Sequence, residues 1–139
     1  MKPIATTATL YFQNSAGRIT EDAGGYLRLD WAAGPREEAA FRALLQHVIR
    51  ALHRNGWGKL LARQDQMVPF TPAEQAWIVN EWMPRAVTEG GYRFGAVISA
   101  KSVFARLATN VVINEVRELP IVYNTFEDEG YAISWLRSQ

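Results

Sequence analysis

The chain has 139 residues, 48% hydrophobic and 21% charged, a length and balance that suit one globular domain with a sizeable core. Its 15 Lys and Arg against 14 Asp and Glu leave a formal charge of +1, too even for bulk attraction to nucleic acid or to an anionic membrane. Without cysteine it has no disulfide framework, thiolate metal site or cysteine nucleophile, and no apolar run reaches the length of a membrane span.

The opening Met1–Thr9 is too Thr-rich and too broken by Pro3 for a signal-peptide core, so a cytoplasmic domain is expected. Asn14-Ser15-Ala16-Gly17 and Gly24-Gly25 read as turns. Around them, Thr7–Gln13, Arg18–Asp22 and Tyr26–Trp31 read as a strand meander. The last piece alternates, with Tyr26, Arg28 and Asp30 on one face and Leu27, Leu29 and Trp31 on the other. Gly34-Pro35 is expected to open a helix with Pro35 in its first position and Glu37 and Glu38 in its first turn. Phe41, Leu44, Leu45, Val48, Ile49 and Leu52 form its apolar stripe, and Asn55-Gly56 stops it.

Trp57–Arg63 is a short apolar run, read as a strand. Thr71-Pro72-Ala73-Glu74 is a capping box: Thr at the cap, Pro at the first helical position, Glu three residues after the cap. The helix it starts carries Trp77, Ile78, Trp82 and Ala86 and ends at Gly90-Gly91. Pro84 removes one backbone hydrogen bond, so a kink is expected near Asn80–Met83. Tyr92–Ser99 suits a central strand buried on both faces. Lys101–Leu119 reads as a long amphipathic helix whose stripe is Phe104, Leu107, Ala108, Val111, Val112, Val116 and Leu119. Pro120 ends it, Ile121–Phe126 is a strand, and Thr125 is expected to cap a final helix with Ile133 and Leu136 inward. The whole of 1–139 is thus one α/β domain. Its mixed sheet combines an N-terminal antiparallel meander with parallel strand–helix crossovers.

In such a sheet, ligands bind outside the carboxyl ends of the parallel strands. Arg63-Gln64-Asp65-Gln66, Ser99-Ala100-Lys101-Ser102 and Thr125-Phe126-Glu127-Asp128 gather there, either as a polar cleft or as ordinary solvated loops. On the second helix, Trp77, Glu81 and Arg85 repeat every four residues beside Trp82. Two indoles and an Arg have the composition of a protein-binding hot spot, or else the indoles are core and Glu81–Arg85 a surface pair. His47 and His53 stand six apart on one helix, which separates them, so neither metal nor cofactor is expected. The sequence has no nucleophile elbow, no dinucleotide-binding glycine motif and no phosphate-binding loop.

The element order, the tract FTPAEQAWIVNEWMPRAVTEGGYRFGAVIS (Phe70–Ser99) and the closing YNTFEDEGYAISWL (Tyr123–Leu136) together resemble the STAS domains of anti-sigma-factor antagonists, in a bacterial STAS-like branch. The resemblance implies a non-catalytic regulatory or scaffolding domain that binds a protein partner or forms a homodimer; no nucleic-acid partner is expected, because the basic residues are scattered and matched by acids. In phosphorylated STAS members the acceptor hydroxyl follows a strand-end Asp in an Asp-Ser-Ser/Thr-Gly motif. The matching loop, Asp65-Gln66-Met67-Val68-Pro69-Phe70-Thr71, keeps the Asp and lacks the Ser-Ser-Gly. Its one hydroxyl, Thr71, joins Arg63, Asp65 and Lys101 as a candidate cleft residue. Related folds carry lipids, so a second expectation is a carrier of a small molecule or lipid, a small apolar ligand included, in the strand-end cleft around Arg63, Asp65 and Lys101, needing a cavity of about 300 Å³ or more. Catalysis through Asp65 with Arg63 or Lys101 is a third.

Overall fold

A computed structural model describes residues 8–139. Met1–Thr7, with the signal-peptide question and the expected first strand residue Thr7, lies outside the described residues. The chain runs β1 (Ala8–Asn14), β2 (Gly17–Asp22), β3 (Tyr26–Trp31), α1 (Glu38–Asn55), β4 (Lys59–Arg63) and α2 (Pro72–Trp77). A π-helical turn (Ile78–Trp82), α3 (Met83–Thr88), β5 (Phe94–Ile98), α4 (Val103–Glu115), β6 (Val122–Phe126) and α5 (Glu129–Arg137) complete it. The six strands form one sheet in the order β1-β2-β3-β4-β5-β6. β1, β2 and β3 pair antiparallel, and β3 to β6 pair parallel, so the mixed α/β architecture is as the sequence implied.

Tight turns explain the antiparallel half, since two strands joined by two or three residues can only reverse direction. The parallel half needs crossovers, and each has a helix. A bulge between Leu10 and Phe12 breaks the two-residue alternation of β1. Tyr11 and Phe12 consequently both meet the His47 ring, Phe12 stacked at 3.9 Å and Tyr11 edge-on at 6.1 Å.

Two apolar layers hold the sheet. On one face Leu27, Leu29 and Trp31 of β3 pack with the α1 stripe and with Ile78, Trp82, Met83, Val112 and Val116. On the other face α5 alone covers Tyr26, Leu61, Ala96 and Ile98, through Ala132 and Leu136. Ile133 packs against that second layer half-buried. At Gly95 a Cβ would collide with the Tyr123 ring and the Tyr92 hydroxyl, so only glycine lets the buried Tyr92 and the half-buried Tyr123 lie against the strand.

Three sequence expectations need correction. Pro35 is not the first helical residue: α1 begins at Glu38 with Glu37 as its cap, because the chain first sends Arg36 inward. Thr125 does not cap α5. It is still paired in β6, and Asp128 does the capping, its Oδ1 accepting the Gly130 N–H at 2.6 Å. Phe104, Leu107 and Val111 do not face the core: the sheet side of α4 is Ala105, Ala108, Thr109 and Val112. The expected stop at Gly56 does form, with φ 70° and its N–H on the Leu52 carbonyl.

The Pro84 kink takes the form of the π turn. Pro84 has no N–H, and its ring crowds the carbonyl one α-turn back. The chain widens instead, and the Met83 N–H reaches Ile78, five residues earlier.

Candidate functional site

Parallel pairing sets Asp30 beside Arg63, Arg63 beside Ile98 and Ile98 beside Phe126, so four strands end along one edge. The loops beyond them enclose a cleft of about 520 Å³ lined by Arg63, Asp65, Ser99, Lys101, Arg106 and Glu127, among others. Arg63, Asp65 and Lys101 therefore come together as expected. Thr71 does not: it caps α2 and lines a separate groove with Arg36, Arg42 and Trp77. Its Oγ1 accepts the Glu74 N–H at 3.1 Å while Glu74 accepts the Thr71 N–H at 2.9 Å, which accounts for that hydroxyl.

One wall of the cleft is a fixed chain of charge. Arg28 donates to both oxygens of Glu129, at 2.9 and 2.8 Å, and to Asp30 at 3.2 Å. Arg63 bridges Glu129 at 3.0 Å and Asp65 at 3.1 Å. The Arg28 hydrogen bonds hold the Glu129 carboxyl below the usual carboxylate range despite partial burial, and Arg63 adds to them. Glu129 is thus an anion at neutral pH and no proton donor.

The other wall carries the looser cations. Arg106 donates to the Ala100 and Lys101 carbonyls, at 2.9 and 3.1 Å, and the Lys101 N–H reaches the Asp65 carbonyl at 3.1 Å. Among the described residues, neither Lys101 nor Arg106 has an acidic partner within ion-pair distance. Such a cleft can hold a small polar molecule. The histidines are elsewhere, His47 against Phe12 and His53 at 3.2 Å from the Glu89 carbonyl. Ser102 Oγ is occupied as the α4 cap, accepting the Ala105 N–H at 3.3 Å.

The Trp-bearing helix does not form the face its sequence suggested. Trp82 is core, 3% exposed, with its indole N–H donating to the Leu45 carbonyl at 2.6 Å. Trp77 is half-buried, edge-on to Phe41 at 5.6 Å, with the Arg42 guanidinium 5.2 Å above its ring. Arg85 pairs with Glu89 at 2.9 Å and not with Glu81, which is exposed. The π turn is the reason: its five-residue bonds break the four-residue register that would align Glu81 with Arg85. Trp77, Glu81, Trp82 and Arg85 are therefore not one docking face.

Four of the eight large apolar residues exposed among the described residues lie together on α4, the others being the scattered Leu10, Val68, Val122 and Tyr131. Phe104 is 75% exposed, Leu107 56%, Val103 54% and Val111 45%. Sequence reading put Phe104, Leu107 and Val111 on the helix's apolar stripe, although the small residues between them marked the side that packs close to a sheet. It also passed over Arg36. That guanidinium, 3% exposed, donates to both oxygens of Glu74 at 3.0 and 2.7 Å and to the Val68 and Pro69 carbonyls. It also lies 5.8 Å from the Trp31 ring and 5.4 Å from the Phe70 ring.

Between sheet and helices the interior holds a cavity of only about 60 Å³, walled by Trp82, Tyr92, Tyr123 and the buried Gln64–Thr109 hydrogen bond of 3.0 Å, among others. That is too small for a cargo held between sheet and helices, whereas the strand-end cleft exceeds the roughly 300 Å³ expected of a carrier site. Compared with protein-family models and with curated proteins, the chain matches none. No helix among the described residues is long and apolar enough to cross a membrane.

Proposed function

We propose that this chain is a non-catalytic, cytoplasmic STAS-like interaction domain that binds protein through the outward face of α4. The observation that carries the reading is the run Val103, Phe104, Leu107 and Val111, four apolar side chains left in water on one helix. Each forfeits burial worth about 25 cal/mol per Å² of apolar surface, a loss that a covering protein removes. The strand-end acids support a non-catalytic reading. Glu129 and Asp65 are both held by Arg63, and neither histidine lines the cleft.

A second reading, carriage of a small ligand, has one observation in its favour: the strand-end cleft of about 520 Å³, with the unpaired Lys101 and Arg106 in its wall. Its ligand would be polar and anionic, since the apolar interior is packed.

Native mass spectrometry of the protein purified gently from its own cells separates the two, followed by amide exchange on whatever is found. The proposal expects bound protein that slows exchange across residues 103–111. A few hundred daltons of extra mass with those amides unprotected would replace it by the carrier reading, and a bare monomer would contradict both.

A further inference from the structure

We infer that the protein covering α4 is a second copy of this chain, packed antiparallel along α4 about a twofold axis level with Thr109. This rests on the protein-binding reading above and names its partner. A twofold contact must be complementary to itself, and three features of α4 meet that condition.

The first is spacing. Phe104, Leu107, Val111 and Asn114 follow one another at steps of three, four and three, the seam spacing of two packed helices. Turned end for end about the level of Thr109, Leu107 meets Val111 of the second copy and Phe104 meets Asn114.

The second is charge. Lys101 precedes the helix and Glu115 closes it, both exposed and both without an ion-pair partner among the described residues. The same register brings Glu115 of the second copy within two positions of Lys101, an offset of about 3 Å that a lysine side chain spans, twice over. A parallel register would set each against its like. Opposed helix dipoles favour the same arrangement.

The third is size. Thirteen residues make a helix of about 20 Å, which presents less than the roughly 800 Å² per partner of a standard interface. A contact so small belongs to the transient class, with Kd in the micromolar range.

Sedimentation equilibrium of the full chain tests this, over a series from about 1 to about 300 μM that brackets such a Kd. The expected result is a reversible monomer–dimer equilibrium. Leu107→Asp and Lys101→Glu each weaken it about tenfold or more, and the double change Lys101→Glu with Glu115→Lys restores the dimer. Both positions are exposed, so each variant keeps its fold, which circular dichroism verifies. Three results overturn the inference: a monomer throughout, a dimer indifferent to Leu107→Asp, or a double variant no tighter than Lys101→Glu. A monomer that still binds a foreign protein, and loses it on Leu107→Asp, overturns the second copy alone. Loss of neither kind of contact on Leu107→Asp removes the α4 reading as well.

Discussion

Helices α1 and α4 cover the same face of the sheet and distribute their side chains in opposite ways. α1 turns Phe41, Leu44, Val48 and Leu52 inward and Gln46, Arg50, His53 and Arg54 outward. α4 turns Ala105, Ala108, Thr109 and Val112 inward and the larger Phe104, Leu107 and Val111 outward. Since stabilisation scales with the apolar area taken from water, α1 anchors the monomer, whereas α4 leaves its larger apolar side chains exposed. Amphipathic spacing alone does not separate these cases. The sizes of the residues on the two sides do.

The contrast can be broken or sharpened by mutation. The largest effect is expected just ahead of α1. Arg36→Ala leaves the Glu74 carboxylate in a buried site with only its cap contact, and urea unfolding should show a loss of about 3–5 kcal/mol. Next come two leucines of the same chemistry. Leu44→Ala on α1 should cost about 2–5 kcal/mol. Leu107→Ala on α4, measured on dilute monomer, should stay within about 0.5 kcal/mol. Equal costs at Leu44 and Leu107 would erase the distinction between the helices.

The smallest effect is a pH dependence where α1 meets β1. Burial against Phe12, with Arg50 nearby, lowers the His47 pKa below its ordinary value of 6.5. Between the folded and unfolded pKa values the unfolded chain binds more protons, so stability falls as pH drops through 6.5 and levels off below the folded value. His47→Gln should flatten that part of a urea-midpoint series between pH 8 and pH 5, and an unchanged slope would assign the dependence to other groups.

Much of this fold was legible in the residues themselves. The alternation of Tyr26–Trp31 gave both faces of β3, the α1 stripe is buried throughout, and the Thr71–Glu74 capping box forms as its spacing requires. These features depend on neighbours within one element. What escaped depends on contacts far along the chain. Arg36 meets Glu74 from 38 residues away, and Trp82 reaches Leu45 from 37. A wide turn is not visible in side-chain periodicity, so the Glu81–Arg85 register could not be read past Pro84. Thr125 and Asp128 are both good caps, and only the pairing of β6 to Phe126 decides between them. The strand-end cleft was half legible: the topology places Arg63, Asp65 and Lys101 together, whereas Arg28, which fixes Glu129, lies 101 residues before it.

The absence of cysteine allows a single chemical probe to decide where two copies touch. Asn110→Cys places one thiol next to the proposed axis, and Arg50→Cys places one on the exposed side of α1 as the control. A bismaleimide spanning about 10 Å matches the 8–10 Å between packed helix axes. If α4 is the contact, Asn110→Cys gives a covalent dimer in high yield and Arg50→Cys gives little. Equal yields from the two variants, or none from Asn110→Cys, would show that the apolar side of α4 is not where the copies meet.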